Sequence, residues 1–215
     1  MENFFINWFL LFSVFTIGLA SPGPDLVMVV RNSLLFSRKA GLFTALGFAS
    51  GVMVHITYTL CGIAALIAQS VFLFSVLKYA GAAYLIYFGI KALKSKGFSE
   101  GTDTVSGAPE TMSPFQAFRS GFLTNLLNPK VTLFFLAIFT QFVGPGTPIL
   151  IQASYAITCV AMTGVWFSIV AIFLTHNRIR AKFLGFSRWI DKVCGTLMII
   201  LGLRLAFDVM QKGTS

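Results

Sequence analysis

The sequence predicts an all-α membrane protein: six transmembrane helices arranged as two inverted three-helix repeats, with helices 1 and 4 broken at prolines. Three observations predict it. The 215 residues are 56% hydrophobic and only 11% charged, with a mean hydropathy of +0.83, whereas a soluble domain carries about 25% charged residues. Apolar stretches long enough to cross a bilayer as helices recur six times along the chain, and the ten-residue alternation of a membrane barrel does not. Two of these stretches, in corresponding halves, are interrupted by proline motifs, "SPGPDLVMVV" at 21–30 and "LLNPKVTLFF" at 126–135.

The expected spans are 4–30 (broken), 40–67, 70–92, 116–142 (broken), 148–174 and 190–209. A first repeat at 1–94 and a second at 116–215 flank a polar segment at 95–115, which contains "SKGFSEGTDTVSGAPETMSP" and reads as a flexible cytoplasmic linker. The first apolar run is expected to be retained rather than removed as a signal peptide, because "MEN" lacks the basic start such a peptide needs.

Charge sets the expected orientation. Twelve of the 16 basic residues fall in three connections. Arg31, Arg38 and Lys39 follow span 1. Lys91, Lys94, Lys96 and Arg119 follow span 3. Arg178, Arg180, Lys182, Arg188 and Lys192 follow span 5. Positive-inside reasoning puts these odd-numbered loops in the cytoplasm and both termini outside. The formal charge of +9 is therefore a topology signal, and no nucleic-acid partner is expected. Cys61, Cys159 and Cys194 match no metal or redox spacing and are expected to pack as small apolar residues.

The repeat is faint but placed consistently. "KYAGAAYLIYFGIKAL" (78–93) aligns with "DKVCGTLMIILGLRLA" (191–206), so that Gly89 meets Gly202 and Lys91 meets Arg204. In the proline motifs Pro24 meets Pro129 and Asp25 meets Lys130. Three crossings per half reverse the orientation, giving inverted repeats. In transporters built this way, discontinuous helices form the binding site at the pseudo-two-fold axis.

A helix over 4–36 would run to roughly 50 Å against a hydrocarbon core of about 30 Å, so the segment must tilt, break or emerge. Pro22 and Pro24 remove backbone donors, Gly23 permits unusual dihedrals, and Pro24 suits the first position of a restarted helix. Asp25 then lies in the first turn, where the helix dipole favours an anion. In span 4, Asn128 is a good N-cap and Pro129 a good first residue. Lys130 breaks the pattern, since a cation in a first turn opposes the dipole. It also has thirteen residues of the span on either side of "NPK", which puts it near the bilayer midplane. An unpartnered cation there costs at least ~2.5–3.5 kcal/mol.

Asp25 is the one carboxylate between residues 3 and 99, which marks it as the proton carrier. The expected substrate site is Asp25, Asn125, Asn128 and Lys130, with the helices broken at Pro22, Gly23, Pro24 and Pro129. Opened helix N-termini offer free amides to an anionic group. A zwitterion would place its carboxylate on those amides and Lys130, and its ammonium on Asp25. The competing reading makes Asp25 a helix-start residue at the cytoplasmic rim and lets Lys130 snorkel. His55 is expected to be a hydrogen-bonded interhelical histidine, with proton relay the alternative. Arg31 reads as a loop charge or a group at the cytoplasmic mouth. Gln141 reads as interfacial, and Asp191 with Lys192 as a helix start. "GFASG" at 47–51 is a small-residue packing face, and the 24 phenylalanines are mostly lipid-facing bulk.

On "SPGPD", "GFLTNLLNPK", "KYAGAAYLIYFGIKAL" and "WIDKVCGTLMIILG" the chain resembles the LysE/RhtB family of bacterial amino-acid exporters, with the first two motifs most similar to the threonine/homoserine exporter branch. The resemblance spans the whole chain. It implies export of amino acids or related small solutes across the bacterial inner membrane by proton antiport, with no prosthetic group and no enzymatic activity. Its expected partners are an amino-acid substrate, protons and membrane lipid; substrate identity and homo-oligomerisation stay open. An ion or metal transporter, a membrane redox enzyme with cysteines at the breaks, and a non-transporting scaffold fit the charged, cysteine-free breaks less well.

Overall fold

A computed structural model describes residues 2–21, 23–95, 111–144, 146–173 and 177–213. Among them are eight helices and no strands: α1 (Glu2–Ala20), α2 (Pro24–Leu35), α3 (Arg38–Gln69), α4 (Val71–Leu93), α5 (Pro114–Leu126), α6 (Pro129–Phe142), α7 (Ile149–Phe173) and α8 (Asn177–Gly213). Pro22 and residues 96–110, most of the expected linker, lie outside the described residues.

The helix ends follow local chemistry. Ser70 alone separates α3 from α4, and its hydroxyl accepts from the Leu73 amide. Ser113 and Gln116 form a reciprocal capping box at the start of α5, with Pro114 as its first residue. Pro24 and Pro129 open α2 and α6, as their fixed φ and missing donor favour.

Two helix pairs are bent at these prolines, Phe4–Ala20 with Pro24–Leu35 by 59° and Pro114–Leu126 with Pro129–Phe142 by 58°. Residues 38–65, 75–93 and 149–173 form helices long and apolar enough to cross a membrane, and counting each bent pair as one span raises three to five. The expected sixth span at 190–209 lies within α8, and part of it, including positions 201 and 205, lies outside the residues whose side chains are described. Asp191 departs from its expected place at a helix start. It lies well inside α8, buried, and its carboxylate accepts from Ser95 at 2.6 Å.

Packing brings the broken pairs to the centre. α3 lies against α5, and α4 against α8. Both contacts use glycine. A Cβ at Gly121 would collide with the Thr44 backbone, and one at Gly89 would come within 2.6 Å of the Gly195 carbonyl. These small residues let backbones approach to van der Waals distance, which drives association where lipid removes the hydrophobic incentive. One buried apolar cluster joins Leu11, Phe15, Ile56, Phe135 and Tyr155. A second joins Leu26, Val29, Phe48, Phe167 and Val170. The phenylalanines divide accordingly. Phe5, Phe9, Phe72 and Phe115 are exposed, but Phe15, Phe48, Phe134, Phe135, Phe139 and Phe167 are buried, so an inner set builds the core rather than facing lipid.

Gly121→Ala is expected to destabilise the protein by about 1–3 kcal/mol, the usual cost of forcing extra volume into a packed contact. Gly62→Ala, where a Cβ meets nothing within 4 Å, is expected to be neutral. Thermal unfolding of the two purified variants in one detergent checks the contrast.

Candidate functional site

The site begins with what the prolines remove. In an α-helix the amide of residue i donates to the carbonyl of residue i−4, and proline has no amide to give. Pro129 therefore leaves the Asn125 carbonyl without its helical partner. Its ring also crowds that carbonyl, so the chain bends and α6 restarts. Asn128 caps the new helix, its side-chain oxygen accepting from the Lys130 amide at 3.1 Å. Across the molecule Gly23, in extended backbone, precedes Pro24, and Asp25 sits in the first turn of α2.

The two breaks meet. Asp25 is 7% exposed, and both its oxygens accept from the other break. Asn125 Nδ2 donates to Oδ2 at 2.7 Å, and Asn128 Nδ2 donates to Oδ1 at 3.1 Å. Lys130 reaches the opposite way. Its Nζ donates to the Ser21 carbonyl at 3.0 Å and to Ser21 Oγ at 3.3 Å, and it lies 4.8 Å from the centre of the Phe88 ring. Ser21 immediately follows α1, and its own amide still donates to Ile17 in the helical pattern at 3.1 Å. The ammonium therefore sits at the negative end of the α1 dipole. Lys130 opposes the dipole of its own helix but satisfies that of another.

The magnitudes support this arrangement. A cation near the midplane costs ~2.5–3.5 kcal/mol or more. A helix C-terminus returns about 0.3–1 kcal/mol, up to ~2 in partly buried geometry, a desolvated cation–π contact ~2, and hydrogen bonds to a charged group ~1.5–3 each. Several such contacts together offset the burial, and no single one would.

Asp25, Asn125, Asn128 and Lys130, the four expected substrate-site residues, all line one cavity of about 50 Å³, and Gly23 lines it too. Such a cavity has room for water. Its remaining wall is mostly apolar, with Phe15 from α1, Phe134 and Phe135 from α6 and Phe167 from α7, and Thr163 also from α7. Ser21, Thr163 and the aromatic wall were not legible from sequence. Ser21 had one weak signal, its place directly before the first proline; Thr163 and the phenylalanines had none, since every span carries such residues.

The surrounding positions sort clearly. His55 is fully buried and interhelical, with Nε2 donating to the Asn125 carbonyl at 3.0 Å and Nδ1 in contact with the Tyr58 hydroxyl. Arg31 is exposed on α2. Gln141 is half-buried, its amide donating within α6 to Ala137 at 3.5 Å. Cys61 is exposed, whereas Cys159 and Cys194 are buried, and all three are free thiols. The Cys194 thiol donates to the Ile17 carbonyl at 3.2 Å. Among the described residues no group of three or more His, Cys, Asp or Glu side chains is placed to hold a metal ion. "GFASG" packs as expected, and its second glycine also supports the site: a Cβ at Gly51 would lie 2.6 Å from Asn125 Oδ1.

Comparison with known proteins finds that the family model described as LysE type translocator matches residues 16–209. The chain is 31% identical over 191 residues to the uncharacterized membrane protein YrhP of Bacillus subtilis (strain 168), covering 85% of this chain and 90% of that protein. It is 29% identical over 192 residues to the threonine efflux protein of Escherichia coli (strain K12), covering 89% and 93%. It is 30% identical over 181 residues to the leucine efflux protein of Salmonella choleraesuis (strain SC-B67), covering 84% and 83%. No solved structure matches the chain.

Gly51→Ala is expected to push the Asn125 amide off Asp25 and destabilise the protein by about 1–3 kcal/mol, although Gly51 does not line the cavity. Thermal unfolding of the purified variant checks this, with Gly62→Ala on the same helix as the unaffected control.

Proposed function

The chain belongs to the LysE type translocator family, and from that premise we propose that it is a secondary exporter of neutral amino acids, working by proton antiport. It is an all-helical, multi-pass membrane protein, and relatives named for threonine and leucine efflux support amino-acid export. The observation that carries the finer reading is a cavity at which both helix breaks converge, with Asp25 and Lys130 in its wall.

The substrate class follows from charge. The lining residues include one carboxylate and one ammonium. A zwitterion that sets its ammonium on Asp25 and its carboxylate on Lys130 keeps the pocket neutral. A charged side chain would add a buried charge with no counter-ion, which costs several kcal/mol. The apolar wall of Phe15, Phe134, Phe135 and Phe167 suits an uncharged side chain, and Thr163 offers one hydroxyl.

Coupling follows from competition. The Asp25 carboxylate accepts from two side-chain amides. A proton and a substrate ammonium cannot both neutralise it, so binding of one disfavours the other. Mutual exclusion at one group is the thermodynamic requirement for exchange. A proton entering from outside would displace the ammonium, and substrate from the cytoplasm would displace the proton.

The architecture proposed for this cycle is six spans in two inverted repeats, 1–94 and 116–215, joined by a cytoplasmic linker at 95–115. The odd-numbered loops are cytoplasmic and the termini outside, in the bacterial inner membrane. The reciprocity of the breaks supports it: the first-turn charge of α2 is held by residues of the α5–α6 break, and that of α6 by Ser21, directly after α1. Inverted repeats related by an axis through the site produce this kind of exchange.

Cells overproducing the protein are expected to accumulate one or more neutral amino acids in the medium. Asp25→Asn and Lys130→Ala are expected to abolish that accumulation while still reaching the membrane. In proteoliposomes loaded with a neutral amino acid, external acid is expected to accelerate efflux, and lysine or aspartate is expected not to compete. Undiminished efflux from Asp25→Asn would remove Asp25 from the coupling role.

A further inference from the structure

His55 contributes no atom to the lining of the central cavity, yet it is fully buried and fixed on three sides. Its ring lies nearly parallel to Phe135, with centroids 6.1 Å apart and planes 8° apart. Nδ1 meets the Tyr58 hydroxyl, one turn along α3. Nε2 is 3.0 Å from the Asn125 carbonyl oxygen. A carbonyl can only accept, so Nε2 carries the proton, and in the neutral ring Nδ1 accepts from Tyr58.

That carbonyl is the one Pro129 orphans, four residues ahead of a residue with no amide. The Asn128 amide also bonds to it, at 3.0 Å, in the tighter i→i−3 pattern of a helix end. We infer that His55 is a positioning residue of the transport site: its Nε2–H replaces the amide that Pro129 lacks, fixing Asn125 so that the Asn125 side chain can hold Asp25. The chain of contacts is continuous. α3 holds the backbone of Asn125, and the Asn125 amide donates to the Asp25 carboxylate at 2.7 Å. Asn125 Oδ1 is buried with no hydrogen-bond partner, so the side chain has one polar anchor of its own, and its orientation depends on where the backbone is held. Both imidazole nitrogens are engaged away from the cavity. The ring therefore serves the site as a fixed donor and not as a proton shuttle.

This inference rests on the reading of Asp25 as the substrate- and proton-binding carboxylate, and the experiment separates the two. Labelled leucine and threonine counterflow is measured in proteoliposomes for wild type, Asp25→Asn, His55→Leu and His55→Gln. His55→Leu removes this second donor, leaving the carbonyl only the Asn128 amide, and is expected to lower Vmax/KM by about three- to tenfold, the scale of one net buried hydrogen bond. His55→Gln restores an N–H at similar reach. It is expected to recover most of the transport, with the wild-type pH profile across about pH 5–8, where an imidazole titrates. Wild-type kinetics in His55→Leu would overturn the inference, because the carbonyl would then need no donor. So would a His55→Gln variant as impaired as His55→Leu, or one with a flattened pH profile, since either result makes imidazole titration the requirement. If His55→Leu does not fold, His55→Gln decides alone. Normal transport by Asp25→Asn would instead strike the functional reading and leave the geometry of the break standing.

Discussion

The structure depends on an exchange of charges between two broken helices. Each break exposes backbone groups that a bilayer cannot solvate, and each restarted helix carries a charge in its first turn. Neither break can satisfy itself. Asp25 suits the dipole of α2 but needs donors for two buried oxygens, which come from Asn125 and Asn128. Lys130 opposes the dipole of α6 and needs acceptors, found at the end of α1. Membrane interiors tolerate irregular backbone only where it is buried in protein or lines a cavity. Here both conditions hold at once.

The rest of the fold serves to keep the two breaks together. Glycine contacts bring α3 onto α5 and α4 onto α8 closely enough that the polar residues between them can touch. Both apolar clusters contribute residues to the cavity wall. Their low local dielectric strengthens each hydrogen bond inside and raises the cost of any that is lost. Packing and polar chemistry are therefore linked: Gly51 is a packing residue on α3 and also the floor beneath the Asn125 side chain.

The same coupling explains why a transporter would retain so costly a centre. A fully helical apolar bundle would be easier to bury, but it would have no group whose partner could be exchanged. Asp25 is held by neutral amides, and Lys130 by a carbonyl, a hydroxyl and an aromatic face. In the proposed cycle a substrate ammonium or a proton replaces the first set, and a substrate carboxylate the second.

Much of this was legible in the sequence because it rests on local rules. Proline lacks an amide wherever it stands, so "SPGPD" and "LLNPK" announced both breaks, the cap at Asn128 and the first-turn places of Asp25 and Lys130. Hydropathy announced the helices. Asp191 was misplaced as a helix start because an acidic residue beside a lysine looks like a boundary; only the arrival of Ser95, just past the end of α4, makes it a buried acceptor. What the tertiary structure alone decided is which group answers which. That Lys130 reaches Ser21 and His55 the Asn125 carbonyl are contacts across 109 and 70 residues, and which phenylalanines turn inward is likewise decided by packing. Sequence fixes the unmet needs of a backbone through chemistry within one turn, whereas the partners that meet them depend on how helices pack, and packing in lipid is set by shape along whole faces rather than by any short motif.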